Sequence, residues 1–354
     1  MQNLKNMKIL ILTPPIHLTG GVSGHFRGLK NYWSENVKYF TVYKNNNWGI
    51  LSVFPSIFNK LKFLYTIITF RPDNTIINVS LKKGFFSKNL YARLMHIFHF
   101  KYTIFIHGWL DEKEDMLNKP QADILIRKCH RILVLSKRFK DKLVQKAGID
   151  EKKIYLTTTK VNNDMLECFD ISHRTGEFKN LLFVSRVEKE KGIFIALETY
   201  RMLKEENPTL TFTIVGEGRI RDKVEQYIKD NDIKDVIMKG VLFNKNLSCE
   251  FIKGDFFILP SYSEGMPAAL LEAMAFGLPI ATSSVGAIPD FFEDGKMGII
   301  SEKNDAITYY TRIKEYINNR EKTVATSVYN YNYAKSNFYS SEVAKKIEDI
   351  LKTN

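Results

Sequence analysis

Short apolar runs alternate with amphipathic stretches along nearly the whole chain, and this rhythm restricts the fold more than any other feature. In the first half the runs are "KILILT" (8–13), "KYFTVY" (38–43), "TIINVS" (75–80), "YTIFIH" (102–107), "RILVLS" (131–136) and "KIYLTT" (153–158). Segments with helical periodicity fill the gaps, such as "SKRFKDKLVQKAG" (136–148), closed by Gly148. The second half repeats the pattern with "NLLFVSRV" (180–187), "TFTIVG" (211–216), "VIMKG" (236–240), "FFILPS" (256–261) and "PIATSS" (279–284). Strands apolar on both faces belong in parallel sheets covered by helices on either side. At 354 residues the chain also exceeds what one hydrophobic core usually serves. Two successive sets of five or six strands therefore predict two doubly wound α/β domains. The polar stretch "FDISHRTGEFKN" (169–180) reads as the linker, and long helices from about residue 304 close the chain.

Composition narrows the class. With 44% apolar, 13% aromatic and 26% charged residues the chain is ordinary globular protein. Cys129, Cys168 and Cys249 are scattered, odd in number and form no CxxC, which fits a reducing compartment. "MKILILTPPI" (7–16) is too short in its apolar run for a signal peptide, and no stretch reaches 18 uncharged apolar residues. The expectation is a cytoplasmic protein. Net charge is +13, unevenly spread: residues 1–170 carry 27 Lys and Arg against 13 Asp and Glu, and the remainder 25 against 26. The first domain should face something anionic.

In open parallel sheets ligands sit beyond the carboxyl ends of strands, so unusual residues there are the candidates. "SRVEKEKG" follows "LLFV", with Arg186 and Lys191 five apart and Gly192 opening a helix. "GEGR", headed by Gly216, follows the next strand; it lacks the third glycine of a dinucleotide fingerprint, and no P-loop motif occurs. "SEGMPAALLEAMAFGLP" (263–279) is apolar except for Glu264 and Glu272, with no Lys or Arg. Pro267 and Gly277 bracket a helix over 267–276, whose start should offer free N–H groups at Ala268, Ala269 and Leu270 to an anion. Glu272, on that buried helix, needs either a distant Lys or Arg or the hydroxyls of a ligand such as a ribose diol. No ligand spacing for a metal is visible: Asp230-Asn231-Asp232 falls at a polar helix end, and "DEKED" (111–115) reads as a loop. Arg186 and Lys191 would then neutralise a leaving diphosphate in place of a metal ion. In the first half "LTPPIHLTGGVSGH" and "HGW" (107–109) follow strands; His25 lies in a helical pattern and reads as structural, and His17 is a further histidine there.

Taken in order, "SRVEKEKG", "IVGEG" and "GDFFILPSYSEGMPAALLEAMAFGLPIATSSVGAIPD" resemble the retaining glycosyltransferases of family 4, which have the GT-B fold. The match runs through most of residues 180–290 and is looser in the first half, where "GGVSGH", "HG" and "VLSKRFKDKLVQKAGIDEKKI" agree. The resemblance implies two Rossmann-like doubly wound domains facing each other across a cleft, with C-terminal helices crossing back. The implied boundaries are 1–170 for the acceptor domain, 171–335 for the donor domain, and 336–354 for a helix packing on the first domain. It implies metal-independent, cofactor-free transfer of a hexose or N-acetylhexosamine from a UDP-sugar, GDP-sugar being the second choice, with retention at the anomeric carbon. By position, Arg186 and Lys191 would grip the diphosphate, Glu272 the ribose diol, and Glu264 the donor sugar. The backbone of Gly265, Met266 and Pro267 would lie against sugar and diphosphate. Gly20 and Gly21 would admit the phosphates, His107 would line the sugar pocket, and Gly216 is counted with the donor-binding residues. "TTTKVNND" (157–164) departs from the family's Asn-Gly-Val-Asp-like turn, and Asp290 stands where Glu is usual.

Residues 53–102 carry Lys60, Lys62, Arg71, Lys82, Lys83, Lys88, Arg93 and Lys101 against one acid, Asp73. They are interleaved with Phe54, Phe58, Phe63, Tyr65, Phe85, Phe86 and Tyr91. Two readings stand open: basic amphipathic helices meeting an anionic membrane, or core aromatics beneath a solvated Lys face. On the first reading the location is the inner face of the cell membrane. The acceptor is then a lipid-linked saccharide in surface-polysaccharide assembly, rather than a free oligosaccharide. Nucleic acid is not expected, because no recognition motif is present. A UDP-sugar epimerase of the same fold and a non-catalytic nucleotide-sugar or glycan binder are the competing functions.

Overall fold

The apolar runs become strands where the alternation predicts them. The computed structural model describes residues 6–18, 20–42, 53–81, 85–109 and 111–353. The chain divides into two units, Met1–Thr159 with Ser340–Asn354, and Lys160–Tyr339. The divisions thus fall at 159/160 and 339/340, where the sequence suggested 170 and 335.

In the first unit the order is β1 (Lys8–Thr13), α1 (Gly21–Leu29), β2 (Asn36–Thr41), α2 (Val53–Phe70), β3 (Asn74–Leu81), α3 (Asn89–Ile97), β4 (Tyr102–Trp109), α4 (Asp123–Ile126), β5 (Arg131–Val134), α5 (Lys137–Ala147) and β6 (Ile154–Leu156). Its six strands are parallel in the order β2-β1-β3-β4-β5-β6, with Ile9 level with Val37 on one side and Asn74 on the other. Ile9, Leu10, Ile11 and Leu12 are at most 1% exposed, as expected for a strand with neighbours on both edges and helices on both faces. The expected run "KYFTVY" ends at Tyr43, which lies outside the described residues. α5 matches its sequence signals: the Ser136 hydroxyl accepts from the Phe139 N–H (3.2 Å), and Gly148 closes the helix in the left-handed region.

The second unit contains β7 (Asn180–Val184), α6 (Ile193–Glu206), β8 (Thr211–Val215), α7 (Arg221–Asp230), β9 (Val236–Met238), α8 (Asn244–Lys253), β10 (Phe256–Leu259), α9 (Ala268–Ala275), β11 (Ile280–Ser283), β12 (Gly298–Ser301), α10 (Ala306–Ile317) and α11 (Arg320–Asn337). Its parallel order is β12-β11-β10-β7-β8-β9. The sequence reading missed β12, whose apolar part is too brief to stand out: "GIIS" carries only two large apolar residues between Gly298 and Ser301. In each sheet the chain runs outward from a central strand, then crosses to that strand's other side. The reversal lies between β1 and β3 in the first unit and between β7 and β10 in the second, and such points are where open sheets take ligands.

The last helix, α12 (Ser340–Lys352), belongs to the first unit. Its Glu348 is 3% exposed and accepts from the N–H groups of Ser34 (2.8 Å) and Glu35 (2.9 Å), just beyond α1. Lys352 adds an ion pair to Glu35 (2.7 Å).

The stretch 169–180 is not a free linker. Arg174 within it is 8% exposed and donates to the carbonyls of Phe251 (2.7 Å), Ile252 (3.3 Å), Gly254 and Phe276 (2.7 Å). These are the carbonyls left over at the ends of α8 and α9, so one guanidinium caps two helices and meets the negative ends of both dipoles. Burial pulls its pKa down to about 10, against the opposing field of Asp255, and it stays charged at neutral pH. Polar composition suggested a solvated connection, but the polar groups have partners in the fold. Arg174→Met is expected to destabilise the second unit by at least about 3 kcal/mol, since hydrogen bonds to a charged group contribute about 1.5–3 kcal/mol each. Urea unfolding with hydrogen exchange in α8 and α9 checks this; unchanged protection of Phe251–Gly254 would mean that Arg174 does not hold those ends.

Candidate functional site

The second unit's candidates gather at the carboxyl ends of β7, β8, β10 and β11, and close backbone approaches set their positions. Gly192, the N-cap of α6, has φ 72°, and a Cβ there would lie 1.9 Å from the Pro260 carbonyl oxygen. Only glycine lets the loop after β7 press against the loop after β10. Gly216 (φ 137°) does the same between the loops after β8 and β7, where a Cβ would lie 1.8 Å from the Ser185 carbonyl oxygen. Its place in the sequence pattern therefore has a packing cause. Two further bonds hold the loops together, Tyr262 N–H to the Glu190 carbonyl (2.9 Å) and Ala287 N–H to the Gly265 carbonyl (2.8 Å).

This scaffold brings Lys191 and Glu264 into direct contact. The Lys191 ammonium donates to Glu264 Oε1 (2.6 Å), with side chains 14% and 8% exposed, and the Ser261 hydroxyl donates to the same oxygen (2.8 Å). The absence of any cation near Glu264 in sequence is thus resolved by a partner one loop away in space. Arg186 differs: exposed at the end of β7, it makes no side-chain hydrogen bond or ion pair among the described residues, and its field adds only a little to the Arg219 hydrogen bond that holds the Glu188 carboxyl ionised.

Helix α9 runs from Ala268 to Ala275, with Pro267 as its N-cap rather than its first residue. The Leu270 N–H bonds to the Pro267 carbonyl (3.1 Å), so Leu270 is not a free donor as the sequence suggested. The N–H groups of Ala268 and Ala269 remain without a partner among the described residues, at the positive end of the helix. Met266 is half-buried and packs against the core beside them.

Glu272 is half-buried on α9 and makes no side-chain hydrogen bond among the described residues. Burial pushes its pKa above the ordinary 4.5, and the field of Lys160 pulls it partly back. Lys160 is 7% exposed and donates to the Asn162 side-chain oxygen. Sequence reasoning missed this residue: it sits in "TTTKVNND", the segment that departs from the family pattern, and nothing in its neighbours points to α9. The distant cation therefore exists, as a field rather than a hydrogen-bonded pair, and the carboxylate's acceptor sites stay open.

In the first unit Gly20, with φ 145°, caps α1, and the space around the missing side chains of Gly20 and Gly21 is open. His107 Nε2 lies 2.7 Å from Asn78 Oδ1, while the Asn78 amide donates to the Leu12 carbonyl (2.7 Å). Asn78 thus turns its oxygen to the ring, which puts the imidazole proton on Nε2 and leaves Nδ1 as an acceptor. Burial drops the His107 pKa to about 3, so the ring is neutral at physiological pH. His25 is 3% exposed and packs edge-on against Phe26, Phe105 and His107, as a core residue does, whereas His17 is exposed. Asp230 and Asp232 are exposed and engaged by Gln226 and Lys234. "DEKED" is a 3-10 turn rather than a loop, with Glu114 tied to Trp109 (3.1 Å), Lys142 and Lys146 (3.2 Å). Among the described residues no three His, Cys, Asp or Glu side chains converge as a metal-ligand set.

Two cations, two open N–H groups and two carboxylates around a strand-order reversal suit a ligand with an anionic centre between hydroxyl-rich ends. Residues 166–333 match the family model of the glycosyl transferases group 1. Among solved structures, HepE of Anabaena in complex with UDP and glucose has a TM-score of 0.71 at 16% identity, over 98% of this chain and 100% of that one. The fold is GT-B. Among curated proteins, the amylovoran biosynthesis glycosyltransferase AmsK of Erwinia amylovora is 28% identical over 215 residues, 58% of this chain and 52% of AmsK. The putative colanic acid biosynthesis glycosyltransferase WcaL of Salmonella typhimurium is 30% identical over 231 residues, 60% of this chain and 54% of WcaL. The chain spans about half the length of the curated relatives it matches. Within this GT-B fold the matched segment contains Arg186, Lys191, Gly216, Glu264 and Glu272, but stops short of Lys160 on its amino side.

Because the pKa of Glu272 is raised in the folded state, folding retains a proton there that the unfolded chain releases. That contribution to stability is complete below the ordinary value of 4.5 and is lost as pH rises through the folded value. Ligand-free Glu272→Gln should therefore gain on the wild type as pH rises from about 4.5. Urea midpoints of both proteins over a pH series measure the gain; a pH-independent difference would remove burial of the carboxylate as its cause.

Proposed function

We propose that the protein is a glycosyltransferase that moves a hexose or N-acetylhexosamine from a UDP-sugar to a saccharide acceptor, with retention, in cell-surface polysaccharide assembly. The observation that carries this reading is the Lys191–Glu264 contact at the β7–β10 reversal, alongside the Arg186 guanidinium and the Ala268 and Ala269 N–H groups at the start of α9, which have no partners among the described residues. A nucleotide sugar has a diphosphate with hydroxyls on both sides, and the site has cations and N–H donors with carboxylates on both sides. The relatives' part in amylovoran and colanic acid synthesis supports the polysaccharide setting, and the complexes of HepE with UDP and with UDP-glucose favour uridine over guanosine.

In the proposed reaction the bond from the anomeric carbon to the diphosphate oxygen breaks first. The acceptor hydroxyl attacks the same face, and its proton passes to the departing diphosphate oxygen. No protein nucleophile is assigned. Arg186, Lys191 and the N–H groups of Ala268 and Ala269 stabilise the charge that develops on the leaving diphosphate. Glu272 accepts from the ribose diol, and Glu264 from the sugar while it orients Lys191.

The test is nucleotide release from a panel of UDP- and GDP-sugars, with and without a membrane extract as acceptor source. Release from a UDP-sugar that needs the acceptor supports the reading; interconversion of the sugar without release would assign the protein to the epimerases. The contact between Lys191 and Glu264 sharpens the expectation for variants. Lys191→Ala should lower kcat by about 100-fold or more, as loss of a charge-stabilising group does. Glu264→Gln combined with it should cost much less than the product of the single losses, because each side chain acts through the other. Strictly multiplicative losses would show that the pair does not work as a unit, and wild-type rates in Lys191→Ala would end the proposal.

A further inference from the structure

Among the described residues, nothing packs on one face of α2. Phe63, Thr66 and Ile67 turn inward and are at most 5% exposed, whereas Ile57, Phe58, Leu61, Tyr65 and Ile68 are 48%, 70%, 60%, 70% and 48% exposed. Their spacing puts the five on one stripe along the helix. Single exposed apolar side chains are ordinary, but a continuous row marks a contact surface. On α3, Leu90 and Ile97 project from the side opposite buried Tyr91, Ala92 and Met95, with Arg93 between them and Phe98 exposed at the end. Next to Ile97 a hollow of about 300 Å³ is lined by Arg93, His96 and Lys128. Its one acid, Asp123, already pairs with Arg127 (2.6 Å).

The charges beside this apolar row are one-sided. Val53–Phe70 contains Lys60 and Lys62 and no acidic residue. Asp73, the only acid in residues 53–102, accepts from the Lys8 N–H (2.7 Å). The aromatics of this region divide: Phe63, Phe85 and Tyr91 fill the core, Phe58 and Tyr65 face out, and the side chain of Phe54 and residues Lys82 and Lys83 lie outside the described residues. A second copy of the chain laid on this face would set cations against cations. A nucleic acid would meet the cations but leave the apolar row in water. No helix among the described residues is long and apolar enough to cross a membrane, so a bilayer would be met from its surface.

We propose that α2 and α3 dock the first unit onto an anionic lipid bilayer. The stripe from Ile57 to Ile68 enters the headgroup–acyl boundary, and Lys60, Lys62, Arg93 and Lys128 meet lipid phosphates. This surface stands on exposure and charge alone and does not depend on the donor chemistry proposed above.

The test is co-sedimentation of the full chain with vesicles of phosphatidylcholine alone or with about a third phosphatidylglycerol, at low and high salt. Wild type should sediment with the anionic vesicles at low salt and be released as salt rises. Phe58→Ser with Tyr65→Ser should lower the partition coefficient about tenfold or more, with unchanged thermal melting because both side chains are already exposed. Lys60→Glu with Lys62→Glu should abolish the preference for anionic over neutral vesicles. Absence of wild-type sedimentation at low salt would overturn the proposal, as would equal partitioning of wild type and the aromatic variant. A lipid-free dimer dispersed by the aromatic variant would assign the face to a second copy instead.

Discussion

The contact between Lys191 and Glu264 is the point on which the arrangement of the second unit's strand-end loops turns. Two oppositely charged side chains, each largely shielded from water, are tolerable only as partners. Their meeting requires the loops after β7 and β10 to lie closer than any side chain on Gly192 would permit. That closeness in turn requires β7 and β10 to be neighbours, although α6, α7, α8 and two strands separate them along the chain. The sheet order, the glycine and the ion pair are therefore one arrangement seen at three scales. A ligand bridging both side chains would exchange contacts with a pair already oriented, which keeps the reorganisation small.

The rest of the second unit holds that arrangement still. Arg174 fastens the ends of α8 and α9, so the helix that presents Ala268, Ala269 and Glu272 is fixed at its far end by a charge-assisted clamp. Among the described residues, the near end is left with open donors at Ala268 and Ala269. A helix anchored at its carboxyl end can leave its first N–H groups unpaired without losing its place in the fold. Glu272 on the same helix has a cost of its own, since burial works against its ionised form and Lys160 offsets only part of that. A neutral side chain at position 272 would remove that cost.

Much of this was legible before any coordinates. The apolar runs marked eleven of the strands: β1, β3 and β5, buried on both faces, carry an unbroken signal, and the edge strands β2 and β9 a shorter one, whereas "GIIS" at β12 was too brief to stand out. Arg186, Lys191 and the glutamates were recognisable as strand-end residues. The linker was misread because polarity alone does not distinguish a side chain in water from one bonded to carbonyls, and Arg174 is the second kind. Leu270 was counted as a donor because a helix start was assumed to leave all its first N–H groups free, but the Pro267 carbonyl turns back to take one. In the first unit, sequence could count the aromatics of residues 53–102 but not sort them, and only packing separates Phe63 and Tyr91 from Phe58 and Tyr65.

The sequence by itself determined the class of fold, two parallel α/β units, because local hydrophobic periodicity reports burial directly. It also determined which strand ends carry charged side chains, because charge is a property of the side chain. Tertiary structure alone decided the pairings: Lys191 with Glu264, Lys160 near Glu272, Arg174 beneath two helices, and Glu348 of the last helix against Ser34 and Glu35 of the first unit. These depend on strand order and on which surfaces meet. A through-space interaction of a few ångströms leaves no trace in the spacing of residues that lie far apart along the chain.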